Sequence, residues 1–294
     1  MRRPRSVETV SLKTLLVMLL FLKVSKEVLG CTDCKFTKEI STSEIIISGA
    51  SECTVSSSAV LQNTPNGNGL NVSGLVPGRS YNLTLNCSTK CCIQFTTGPD
   101  VIRNLSVTHV TTETVSLNWT EPEGMSSFYR VEWDDSTVPV NKTTNETSVV
   151  ITGLTAGVQY VFRVVAVAAD NQTAGDSVSE TQYTKPDVIS NLSVTHVTTE
   201  TVSLSWTAPQ GNSSFYRVEW GESTVSMSKT TNETSVVITG LTAGAQYVFR
   251  VVAVAADNQT AGDSVSKTQY TRPEKVVKNP ESCLPTPPSR RGLA

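Results

Sequence analysis

Histidine is nearly missing from this chain: its 294 residues hold two, His109 and His196. Aromatic residues make up 6% and charged residues 17%. No serine or cysteine nucleophile stands beside a histidine and an orienting carboxylate, which excludes the common hydrolytic constellations. No glycine-rich phosphate loop occurs, which removes the usual nucleotide sites. No stretch carries an apolar stripe at helical spacing, so a helical bundle is excluded. The longest apolar run is LLVMLLFL, Leu15–Leu22, and eight residues cannot cross a bilayer. An enzyme is not expected, and neither a metal nor a cofactor is expected.

The start of the chain has a separate character. Arg2, Arg3, Arg5 and Lys13 precede the apolar run, and Val28 and Gly30 suit a cut before Cys31. Residues 1–30 therefore read as a secretory signal peptide. Without them the net charge becomes −6, since six basic and two acidic side chains go. An acidic chain without basic runs is a poor partner for nucleic acid or an anionic membrane. Twelve Asn-x-Ser/Thr signals follow: Asn71, Asn82, Asn86, Asn104, Asn118, Asn141, Asn145, Asn171, Asn191, Asn212, Asn232 and Asn258. That density predicts a glycosylated extracellular protein with most sites occupied.

The rest of the chain is dominated by a duplication. Residues 100–186 and 187–273 are identical at 74 of 87 positions. A period of 87 residues is one small domain, not a solenoid repeat. Inside a copy the apolar period is two. Val115, Leu117 and Trp119 alternate with polar residues. Tyr129, Val131 and Trp133 share one face, as do Tyr160, Phe162, Val164 and Ala166. Such alternation, rich in Val and Thr, predicts half-buried strands. EPEG, TTNET, TAG and DNQTAGD separate them as turns. Roughly seven strands in so short a unit predict an all-β, two-sheet sandwich.

Trp119, Tyr129 and GLTAGVQY (Gly153–Tyr160) resemble the fibronectin type III module. The resemblance implies a tyrosine corner at Leu154 and Tyr160, and again at Leu241 and Tyr247, with the hydroxyl returned to backbone near the turn. Residues 31–98 look like a divergent, shortened relative of the same immunoglobulin-like sandwich. Leu75 and Tyr81 keep the spacing of six, and TTGPD mirrors the later YTKPD. The expected division is a signal peptide at 1–30, a Cys-rich module at 31–98, fibronectin-type modules at 99–185 and 186–273, and a disordered Pro-rich tail at 274–294.

Cys31, Cys34, Cys53, Cys87, Cys91 and Cys92 all fall in the Cys-rich segment, and Cys283 stands alone in the tail. An even set behind a signal peptide predicts disulfides that staple a small core, with fifteen pairings open. Cys31-x-x-Cys34 also has zinc-ligand spacing, but the adjacent Cys91 and Cys92 and the lack of histidine do not. Redox activity is the third reading. Cys283 is a candidate link to a second chain.

Candidate binding surfaces are two. DNQTAGD, at Asp170–Asp176 and Asp257–Asp263, joins the last two strands of each copy. Fibronectin modules often use this loop, in some cases through Arg-Gly-Asp; here the tripeptide is Ala-Gly-Asp, and Asn171 and Asn258 sit on it, so a plain turn is the favoured reading. The other surface is the outward face of the long strand, with Val161, Val165 and Val167 beside Phe128. Against it, Val suits a central strand, and the Arg130 and Arg163 stems can cover the face. His109 and His196 occupy one position in two copies and read as surface residues.

The wording NLSVTHVTTETVSLSW, YRVEW and TTNETSVVITGLTAG resembles the ectodomains of receptor-type tyrosine phosphatases of the eta and H kinds. The resemblance implies rows of glycosylated adhesion or ligand-binding modules facing an extracellular or cell-surface protein. This chain carries neither a membrane span nor a His-Cys-x-x-Gly-x-x-Arg phosphatase signature. Two expectations follow: a secreted, non-catalytic spacer and binder, or one part of a longer receptor phosphatase. A soluble cytokine-receptor-like binder is a third, but Trp-Ser-x-Trp-Ser is missing.

Overall fold

A computed structural model describes residues 32–34, 36–56, 61–135, 138–222 and 225–275. The signal peptide, Cys31, Cys283 and almost all of the tail lie outside the described residues. By contacts the chain falls into two units, Met1–His109 with Val115–Thr152 and Tyr160–Gln182, and Val110–Thr114 with Gly153–Gln159 and Tyr183–Ala294. Strands β1–β22 carry the described structure, and no helix occurs among the described residues.

The second repeat shows how the alternation is used. Its strands are β16 (Ser190–Val197), β17 (Val202–Thr207), β18 (Phe215–Glu222), β19 (Val225–Thr231), β20 (Ser235–Ile238), β21 (Gln246–Val254) and β22 (Val265–Tyr270). They form a three-stranded sheet, β16-β17-β20, and a four-stranded sheet, β19-β18-β21-β22. Between the sheets lie Leu204, Trp206 and Ile238 from one side, and Val218, Trp220, Phe249 and Val251 from the other. Period-two side chains point to opposite faces of a strand, so each sheet can bury one face and wet the other.

The first repeat does the same with β9 (Arg103–Val110), β10 (Thr114–Thr120), β11 (Phe128–Asp135), β12 (Val138–Thr144), β13 (Ser148–Thr152), β14 (Gln159–Val167) and β15 (Val178–Tyr183). Its sheets run β13-β10-β9 and β12-β11-β14-β15. Every residue assigned to the inward faces of β10, β11 and β14 is buried, from Val115 to Ala166. Trp119 meets the Tyr129 ring edge-on at 5.3 Å, and Trp206 meets Tyr216 at the same distance. That is a favoured geometry for aromatic quadrupoles.

Residues 32–98 hold eight strands: β1 (Thr32–Asp33), β2 (Thr37–Ile40), β3 (Glu44–Ser48), β4 (Thr54–Ser56), β5 (Gln62–Asn66), β6 (Gly69–Ser73), β7 (Ser80–Asn86) and β8 (Lys90–Thr96). They make two four-stranded sheets, β2-β3-β6-β5 and β1-β8-β7-β4. Ile45, Ile47, Val72, Leu83 and Leu85 fill a core with no tryptophan. Two disulfides between described residues close it. Cys34 joins Cys91 across 57 residues, and Cys53 joins Cys87 across 34. Cys92 is disulfide-bonded as well. Because the Cys34 sulfur is committed to Cys91, the zinc reading of Cys31-x-x-Cys34 falls.

One device recurs, its tyrosine half at two turns and its threonine half at three. The tyrosine hydroxyl accepts a bond from the turn backbone: Val76 N–H donates to Tyr81 at 2.7 Å, and Thr242 N–H to Tyr247 at 3.0 Å. A fully buried threonine then closes the same turn from the far side. The Thr97 hydroxyl donates to the Val76 carbonyl at 2.8 Å, Thr184 to Thr155 at 2.6 Å, and Thr271 to Thr242 at 2.5 Å. Most buried polar groups in folded proteins are hydrogen-bonded, and these are. Residues 32–98 share this corner with the repeats, but in two sheets of four strands rather than one of three and one of four.

Candidate functional site

The outward face of β14 was the leading surface in the sequence, and the structure closes most of it. Val165 is 6% exposed and Val167 is fully buried. Phe128 and Val161 are half-buried. The reasons are register and loop return. Arg130 stands opposite Val165 in the β11–β14 ladder, and its guanidinium holds Glu132 at 2.6 Å. Cross-strand neighbours sit close enough for an Arg stem to cover the valine. At the strand end, Ala174 bridges back to Val167, and Ser127 N–H donates to the Val167 carbonyl at 2.7 Å. In the second repeat Val252 and Val254 are buried too, while Val248, the counterpart of Val161, is 39% exposed.

The DNQTAGD loops are built as turns. The Asp170 carboxylate accepts bonds from Gln172 N–H at 3.0 Å, Thr173 N–H at 2.8 Å and the Thr173 hydroxyl at 2.6 Å. Desolvation raises its pKa, but these bonds outweigh it and lower the value from 3.8 to about 2. Asp257 makes the same bonds and is lowered too. Asn171 and Asn258 adopt left-handed φ of 59° and 60°, which asparagine tolerates. The glycine of Ala-Gly-Asp is held against backbone. A Cβ on Gly175 would meet the Pro99 carbonyl oxygen at 2.4 Å, and one on Gly262 would meet that of Pro186 at 2.4 Å. The tripeptide packs the loop onto its own unit.

Eleven of the twelve signal asparagines are exposed; Asn71 is half-buried. Its Nδ2 donates to Glu44 at 3.2 Å, and its Oδ1 is buried without a partner. Its amide is thus committed to the sheet β2-β3-β6-β5. His109 and His196 are exposed on β9 and β16. Among the described residues no cluster of His, Cys, Asp or Glu has metal-holding geometry. No helix among them is long and apolar enough to cross a membrane.

What sequence reading kept apart, the structure brings together. Phe128, Thr143, Thr144, Asn145 and Asn171 line one shallow depression of about 520 Å³. Phe215, Thr230, Thr231, Asn232 and Asn258 line its equal in the second repeat. No local pattern signals this, because Asn145 and Asn171 are far apart in the chain and meet only through the β12-β11-β14 register.

Sealed two-sheet sandwiches with a tyrosine corner define, over the described residues, a tandem all-β module protein. The fibronectin type III domain model matches residues 100–182 and 186–268, and the chain belongs to that family. It is 38% identical over 218 residues to receptor-type tyrosine-protein phosphatase eta of Gallus gallus, covering 70% of this chain and 15% of that protein. It is 32% identical to receptor-type tyrosine-protein phosphatase H of Homo sapiens, covering 62% and 17%. It is 25% identical to tenascin-R of Homo sapiens, covering 62% and 14%. The chain thus spans about a sixth of the length of these relatives.

Proposed function

We propose that this chain works outside the cell as a non-catalytic glycoprotein, spacing and presenting adhesion or ligand-binding surfaces to an extracellular or cell-surface protein. The observation that carries the reading is a pair of fibronectin sandwiches joined to a disulfide-closed sandwich. Disulfides persist in oxidising compartments, and a small core needs them. Likeness to receptor-type phosphatases and to tenascin-R supports adhesion-type modules. In this reading residues 1–30 are removed on secretion, residues 31–98, 99–185 and 186–273 are the three modules, and Cys283 can join two chains.

Secretion of the full chain from mammalian cells tests it. Non-reducing peptide mass spectrometry of the medium should find an N-terminus at Cys31, the Cys34–Cys91 and Cys53–Cys87 peptides, and N-glycans. A reduced, unmodified chain retained in the cytosol refutes the reading. The secreted chain should also bind cell surfaces in a way that trypsin treatment of the cells abolishes.

A second reading has its own support, since the match to phosphatase eta covers only 15% of that protein. There the chain is the N-terminal part of a receptor whose phosphatase domain lies further on. An antibody to residues 100–273 would then detect a much larger membrane-bound species in tissue; detection of the short soluble form alone refutes it.

A further inference from the structure

We propose that the depression over Phe128, and its copy over Phe215, seats the innermost sugar of the protein's own N-linked glycan, carried by Asn171 and by Asn258. The proposal rests on the glycoprotein reading above and adds where the sugar lies and what it does there.

Both asparagines are exposed members of Asn-Gln-Thr signals. Attachment joins Nδ2 to the anomeric carbon of an N-acetylglucosamine. The amide loses one proton, and the lipid diphosphate that carried the oligosaccharide leaves. The first sugar is therefore bonded to a residue that already lines the depression. Loop geometry holds it there: Asn171 N–H donates to the Ala168 carbonyl at 3.0 Å, and Asn258 N–H to Ala255 at 3.1 Å. Phe128 lies opposite Val167 in the ladder, directly before this loop, and Phe215 lies opposite Val254. A half-buried ring offers the apolar face of a pyranose a surface to stack on. Thr143 and Thr144, or Thr230 and Thr231, add hydroxyl groups that can bond to sugar.

The depression also borders an open sheet edge. β12 and β19 are outermost in their sheets and contribute those threonines. An exposed edge invites pairing with another chain, and proteins cover such edges. A sugar folded over Phe128 covers this one. The β11–β14 face is then a glycan-covered face, and protein partners must use other surfaces.

The test uses the full chain secreted from cells that add only endoglycosidase-sensitive glycans. Glycopeptide mass spectrometry first reads occupancy at Asn145, Asn171, Asn232 and Asn258. Urea unfolding then compares the glycosylated protein, the protein trimmed to single N-acetylglucosamines, and the double variant Asn171→Asp with Asn258→Asp. Asparagine and aspartate both tolerate the left-handed backbone. Each form is made with Phe, Tyr or Leu at 128 and 215. With Phe or Tyr, loss of the Asn171 and Asn258 sugars should raise the unfolding constant about threefold to tenfold, while trimming changes little. With Leu the effect of the sugars should vanish. Full occupancy with no dependence on the ring overturns the proposal and leaves the glycoprotein reading standing. Empty Asn171 and Asn258 overturn the proposal; a secreted chain with no N-glycan at any signal overturns the glycoprotein reading as well. Dependence on Asn145 rather than Asn171, read with Asn145→Gln, overturns the assignment to the loop.

Discussion

Replacing Cys53 and Cys87 together by alanine should loosen residues 32–98 and leave the two repeats alone. The disulfide closes a loop of 34 residues. Chain entropy lost from the unfolded state then corresponds to about 3.8 kcal/mol of stability. The Cys34–Cys91 bridge closes 57 residues and corresponds to about 4.2 kcal/mol. Small domains hold only about 5–15 kcal/mol in total, so either loss removes much of the margin. The repeats contain no cysteine and serve as a control within the molecule. All four tryptophans, 119, 133, 206 and 220, lie in the repeats, so tryptophan fluorescence is blind to the disulfide-closed segment. Hydrogen exchange read by mass spectrometry sees it directly. Protection of β7 and β8 should fall roughly 500-fold, which is about 3.8 kcal/mol at about 1.4 kcal/mol per decade. The urea midpoint seen by fluorescence should stay in place. Unchanged protection would refute the view that the bridges carry this core. A fluorescence midpoint that moves with it would refute the independence of the repeats.

Two further outcomes probe the DNQTAGD loops. Gly175→Ala should destabilise the first repeat by about 1–3 kcal/mol in urea, because its Cβ would sit 2.4 Å from a backbone oxygen that has no room to yield; a neutral result would free the loop from its structural role. Asp170→Asn should weaken the protein at pH 7 by no more than about 1 kcal/mol, since the group is largely exposed. The folded pKa is depressed from 3.8 to about 2, so this contribution is fully present above 3.8 and fades as pH falls toward 2. Thermal unfolding of the variant and parent should therefore converge at pH 2, and a gap that persists there would show that another interaction was lost.

Much of the architecture was legible along the chain because it is written in local terms. TVSLNWT, FYRVEW and YVFRVVAV alternate, and the inward members are the buried ones. The Leu-to-Tyr spacing of six located corners that the structure closes at Tyr81 and Tyr247. The buried threonines were less visible, since Thr97, Thr184 and Thr271 sit before Gly-Pro, Lys-Pro and Arg-Pro and look like ordinary turn residues. The outward valines were legible as a face but not as a closed one. Their burial depends on Arg130 across the ladder and on a loop folding back through Ala174.

Read alone, the residue order determines that this protein is built of two near-identical sandwiches behind a cysteine-rich one. The period of two and the 87-residue duplication are properties of neighbours in the chain, and they survive in any strand register. The tertiary structure alone decided that Cys34 meets Cys91, that Cys53 meets Cys87, and that Phe128, Asn145 and Asn171 share one depression. Those meetings join positions that only a particular ladder brings together. A slip of one residue would turn each side chain to the opposite face, so only the folded register can specify them.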